Sequence, residues 1–158
     1  MNTAKVWWKP PGSSDVYSIE KSESGTSCFR FEPFKSSHDY PSIELRGHVV
    51  KSEMPEEGMI DIKTEYSSDS TSMDEHFRAV ESAIDKIENE GLDKVVVSRV
   101  KCMSMKCTPE ASFVRKCKAH PDAFVYLLVH PRCGVWCGAT PELLVSASDN
   151  RIETVSLA

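Results

Sequence analysis

At 158 residues, 40% hydrophobic and 27% charged, the chain has ordinary globular composition and enough length for one real core. Its net charge of -5 and pI near 5.5 argue against broad nucleic-acid binding, which needs a basic footprint. A small anionic substrate stays compatible, because a pocket can be locally positive.

Residues 1 to about 48 read as short strands and turns. Val6-Trp7-Trp8 runs into the breaker Pro10-Pro11-Gly12, and Val16-Tyr17-Ser18-Ile19 is a second short strand. The alternation from Thr26 to Phe34 predicts a third, ended by Pro33. Residues 49–72 are polar and read as a loop or insertion. The clearest helix follows: Ser72 caps it, Glu75 completes a capping box, and Phe77, Val80, Ile84 and Ile87 form one apolar face. Gly91 ends it by accepting a left-handed conformation. Lys94-Val95-Val96-Val97-Ser98-Arg99 then reads as a strand. A second helix starts at Thr108-Pro109, runs to about Ala119, and stops at His120-Pro121.

The last third is strand-rich. Residues 123–130 are nearly all apolar, as in a central buried strand, and strands over 134–138, 143–147 and 152–157 follow, with a tight turn at Asp149-Asn150. Short connections favour antiparallel pairing. The predicted fold class is α+β, with helices packed on a largely antiparallel sheet. The chain stops at Ala158 within a predicted strand, so residues 1–158 are expected to be the truncated N-terminal portion of a single domain. The N-terminus carries no long apolar run and no small-residue cleavage site, so a cytoplasmic location without membrane contact is expected.

Two residues stand out chemically. Lys94 opens the valine-rich strand, and alternation puts Val96, Ser98 and Val100 on its face, which would partly enclose the amine. Enclosure favours the neutral amine that base work requires. Glu142 follows Pro141 at a loop-to-strand junction, where a carboxyl lining a pocket could protonate a leaving group. Taken alone, each is more simply read as a solvated surface charge. The six cysteines include no Cys-x-x-Cys pair and the five histidines show no ligand spacing, so no metal site is expected from them. The cysteines read as reduced, small apolar residues.

Four segments together resemble the N-terminal half of the catalytic domain of chorismate-utilising enzymes. They are Phe29-Arg30-Phe31-Glu32-Pro33-Phe34, the unit from His76 through Lys94 to Arg99, Gly138-Ala139-Thr140-Pro141-Glu142-Leu143-Leu144, and Glu153 to Ala158. Within that family the isochorismate synthase type is the nearest, because a lysine at the Lys94 position marks the water-using branch. The resemblance implies Lys94 as the base that activates water and Glu142 as the general acid at the departing C4 hydroxyl. It also implies chorismate as substrate, Ala158 at the start of a substrate-binding segment, and a magnesium ion on the substrate carboxylate. The magnesium ligands are expected beyond Ala158, so the isolated chain is expected to be inactive. Salicylate synthase shares these features, and a non-catalytic interaction or regulatory half-domain is the competing class. Menaquinone or siderophore synthesis is the pathway the resemblance suggests.

Overall fold

The computed structural model describes residues 4–33, 35–38, 41–60, 70–141, 143 and 145–154. Two compact units divide the chain: Met1–Thr64 with Cys107–Ala158, and Glu65–Lys106.

The first unit is built on a six-stranded antiparallel sheet. Its strands are β1 (Lys5–Lys9), β2 (Val16–Lys21), β3 (Ser27–Phe31), β4 (Ile43–Ser52), β5 (Phe124–His130) and β6 (Gly134–Thr140), in the order β3-β4-β2-β1-β5-β6. β1 is the join between the two ends of the chain, pairing with β2 on one side and with β5 on the other, where Lys5 faces Val129 and Lys9 faces Val125. The apolar run predicted to be a central strand is β5, flanked on both sides and buried on both faces. Helix α2 (Pro109–Ala119), capped by the Thr108 side chain, packs on β5 and β6. Its Phe113 and Cys117 close a core with Trp7, Val16, Val125 and Leu127.

Alternation sends Val6, Leu45 and Leu128 to the opposite face, with Trp8, Phe29, Phe31 and Tyr126 packed around them. The sheet curls around this second cluster. Phe31 of β3 and Trp136 of β6 lie on the two outermost strands, yet their ring centroids are 5.3 Å apart. Further along, Ser146–Ser148 (β7) and Arg151–Glu153 (β8) form a separate two-stranded hairpin. Its turn begins at Asp149, whose φ of 48° is one that a short Asx side chain tolerates.

Several expectations change. The polar segment assigned to a loop from residue 49 begins inside β4, ten residues long, whose inward positions Ile43, Leu45 and Gly47 alternate with Glu44, Arg46 and His48. The predicted strand over 143–147 is replaced by the shorter β7, and β6 pairs with β5 rather than with β7. Phe34, Leu144 and residues 155–158, placed in strands by the sequence, lie outside the described residues.

β4 tolerates its two partners because of Gly47. A Cβ there would collide with the Glu20 carbonyl oxygen of β2 and stand 2.9 Å from Ile19 Cγ2, while the Gly25 backbone presses on Gly47 from another side. The nearest neighbour, the Glu20 carbonyl, is backbone of a paired strand, so it cannot yield as a flexible side chain would. Gly47→Ala is therefore expected to destabilise the protein by about 1–3 kcal/mol, read from the urea midpoint. An unchanged midpoint would show that β2 and β4 separate freely.

The second unit contains α1 (Met73–Asn89). Its N-terminus is the predicted capping box: the Glu75 amide donates to Ser72 Oγ at 3.2 Å, and the Ser72 amide donates to Glu75 Oε2 at 2.8 Å. The Ser72 amide first, and then the Ser72 hydroxyl at 2.8 Å, donate to the Glu75 carboxyl and hold it below its ordinary range. Gly91, at a φ of 73°, follows the last turn as expected. No residue of α1 is buried, and Phe77, Ile84 and Ile87 are exposed.

Candidate active site

Lys94 lies in the second unit, in a stretch from 94 to 105 without regular secondary structure. The predicted strand does not form, and the predicted enclosure of Lys94 fails with it: Lys94, Ser98 and Val100 are exposed and Val96 is 82% exposed. A strand needs a neighbouring backbone to accept and donate along its length. Hydrogen bonds to a neighbouring segment gather at the far end of this stretch. Thr71 N–H donates to the Val100 carbonyl at 2.9 Å, Val100 N–H donates to Thr71 Oγ1 at 3.0 Å, and Cys102 N–H donates to Ser70 Oγ at 2.8 Å. These bonds tie residues 100–102 to the segment that leads into α1. They frame a cleft of about 230 Å³ to which Arg99 and Lys101 contribute positive charge.

Glu142 and Ala158, the other two residues singled out by the sequence, lie outside the described residues. The strand leading to Glu142 is described. β6 delivers Gly138, Ala139 and Thr140 to Pro141, in register with Tyr126, Val125 and Phe124 of β5. Gly138 has a packing reason to be glycine: a Cβ on it would stand 2.6 Å from Tyr126 Cε1. The phenol ring thus rests directly on the β6 backbone, with Phe31 5.9 Å and Phe124 6.4 Å away between centroids. Burial pushes the Tyr126 hydroxyl above its ordinary range, and Cys137 adds to the rise. Trp136 is anchored from its polar edge, its indole N–H donating to the Cys133 carbonyl at 2.8 Å.

An open cavity of about 460 Å³ lies at one end of the curled sheet, lined by Lys21, Arg46, His130 and Glu44 among others. Glu44 is engaged by Arg46 and, at 3.4 Å, by Arg30. His130 is pushed below the ordinary histidine range by burial first, then by Arg132 and Lys21, and its Nδ1 accepts the Arg132 amide at 3.1 Å.

Nothing in the sequence points to Lys9. It is buried in the fold, 3% exposed, where Nζ donates to the carbonyls of Pro121 at 2.7 Å, Pro10 at 3.1 Å and Ala123 at 3.2 Å. Glu110, also buried, accepts the Ile60 amide at 2.8 Å through Oε1. Both are fastenings of loop to core. Nothing in a lone Lys or Glu at an element's end announces such a role, since all the partners but the Pro10 carbonyl are main-chain groups distant in sequence.

Among the described residues no group of three or more His, Cys, Asp or Glu could hold a metal ion, so the donor set for magnesium is not found there. Nor is any described helix long and apolar enough to cross a membrane.

An α+β protein with a curled antiparallel sheet, carrying a lysine after one helix and a Gly-Ala-Thr-Pro-Glu segment that begins in the edge strand β6, has the outline of part of a chorismate-binding domain. The family model described as "Chorismate binding enzyme" matches residues 42–158, well over half of the chain, and the chain belongs to that family. No curated protein and no solved structure matches it.

Proposed function

We propose that this protein acts on chorismate as an isochorismate synthase-like isomerase, with Lys94 as general base and Glu142 as general acid. The observation that carries the reading is the family match, which spans both residues. Water adds at C2 while the hydroxyl leaves from C4, at opposite ends of a conjugated system. Acid and base must therefore be separate groups, and one residue cannot serve both ends. Lys94 takes a proton from the attacking water, the π electrons shift toward C4, and Glu142 gives its proton to the departing oxygen. One water is consumed and one released. Magnesium, which the resemblance implies, would neutralise a substrate carboxylate and fix its orientation. The described residues supply no ligand set for it, so the chemistry assigned to this chain is the acid–base chemistry alone.

The exposure of Lys94 favours a second reading, in which the protein binds chorismate without turning it over. Incubation with chorismate and magnesium, with products separated by chromatography, distinguishes the two. Isochorismate supports the isomerase. Salicylate with pyruvate moves the assignment to the salicylate synthase branch. Saturable chorismate binding without product supports the second reading, and absence of binding overturns both.

A further inference from the structure

The open cavity at the end of the curled sheet belongs entirely to the first unit. It lies at the opposite end of the sheet from the segment that carries Glu142. His130, which lines the cavity, pairs with Gly134, whereas Thr140, the last residue of β6, pairs with Phe124. The six strand positions from Phe124 to His130 span on the order of 20 Å at about 3.3 Å per residue.

The lining combines an apolar floor with a charged rim. Leu45 is buried and Ala4 half-buried, while Lys21 at the end of β2 and Glu23 in the turn after it are exposed. Glu44 is already held between Arg46 and Arg30, and Arg30 also pairs with Glu32 at 2.8 Å. Among the described residues the Lys21 ammonium is in no ion pair. Lys21, Arg30, Arg46 and Arg132 thus outnumber Glu23, Glu32 and Glu44 around the cavity, a locally positive place on a chain whose net charge is -5. His130 adds a directed donor. Its Nδ1 accepts the Arg132 amide, so the proton of the neutral ring sits on Nε2. Burial, Arg132 and Lys21 together keep that ring neutral at pH 7.

We propose that this cavity binds a small organic carboxylate, with the carboxylate received by Lys21 and the His130 Nε2–H and the apolar body laid on Leu45 and Ala4. A volume of about 460 Å³ suits a small molecule. An inorganic anion would use the rim and leave the Leu45 floor bare. The site stands independently of the reaction proposed for Lys94 and Glu142.

Titration of benzoate into the isotopically labelled 158-residue protein at pH 7, followed by NMR, tests the proposal. The expected result is a saturable shift of the Leu45 methyl and His130 ring signals, with a Kd on the order of 1–10 mM. Benzamide lacks the charge and acetate lacks the ring, so each should bind at least about threefold more weakly. Lys21→Met should weaken benzoate binding by about two- to fivefold and Glu23→Gln should strengthen it by a similar factor, the range for exposed charges. Both residues lie on the exposed rim, so neither variant threatens the fold. Benzamide binding as tightly as benzoate overturns the proposal, as does an unchanged Kd in Lys21→Met. So do shifts confined to Tyr126 and Ala139 at the other end of the sheet, or inorganic phosphate moving the Leu45 and His130 signals at the same concentrations as benzoate.

Discussion

Lys9→Ala is expected to lower the stability of the protein by about 3–5 kcal/mol, with a fall in Tm of roughly 6–20 °C. Lys9 is 3% exposed, and its stem fills space at the end of β1 beneath the turn between α2 and β5. Its ammonium donates to three carbonyls, two of them more than a hundred residues away in sequence. Truncation empties that space and removes the only charge the carbonyls share. The Pro121 carbonyl also accepts the Gly12 amide at 3.0 Å and the Pro10 carbonyl accepts the Ser13 amide at 3.3 Å, so neither is wholly orphaned. Lys9→Met separates the two contributions, because it keeps the stem and deletes the ammonium. It should cost about 1.5–3 kcal/mol, the range for hydrogen bonds to a charged group. Calorimetry or urea unfolding reads both variants. A loss below about 1 kcal/mol for Lys9→Ala would mean that water replaces the ammonium without strain.

The second large effect is catalytic. In a form of the protein that turns chorismate over, Lys94→Gln and Glu142→Gln are each expected to lower isochorismate formation by about 10²–10⁴-fold, the range for a positioned acid or base. Glutamine keeps length and polarity in both cases but can neither take up nor release the proton. Chorismate affinity should stay within about threefold, so the loss falls on kcat and not on KM. Paired loss of affinity would place these side chains in substrate binding. Unchanged turnover in either variant would remove that residue from the mechanism.

What could be read from the sequence was local. The Ser72 and Glu75 pair marked the start of α1 because a capping box is a four-residue device, and Thr108-Pro109 marked α2 for the same reason. The unbroken apolar run of β5 announced burial on two faces. Pairing was not legible. β4 hid because its outward positions Glu44, Arg46 and His48 outweigh the inward ones and its midpoint is a glycine. The opposite error arose at residues 94–99, where three valines have strand propensity but the segment pairs with no strand among the described residues. Propensity is a property of the segment, and pairing is a property of what lies beside it. The same limit applies to the site. Lys94 and Glu142 stand out only through the resemblance of the segments around them; by residue type and spacing alone each reads as a solvated charge. Enclosure of an amine depends on packing that no spacing encodes.

The position of β1 also governs how the protein can be made. β1 leaves the ribosome well ahead of β5, and its register with that strand, Lys5 opposite Val129 through Lys9 opposite Val125, awaits residues more than a hundred positions later. At roughly 5–20 residues per second that interval is on the order of 6–25 s. During it, β1 to β4 can assemble only as a half-sheet, with the β1 edge unsatisfied and Trp7 without its later core partners Phe113, Val125 and Leu127. The nascent chain therefore presents a sticky β edge throughout that interval, until the β5–β6 hairpin arrives to cover it.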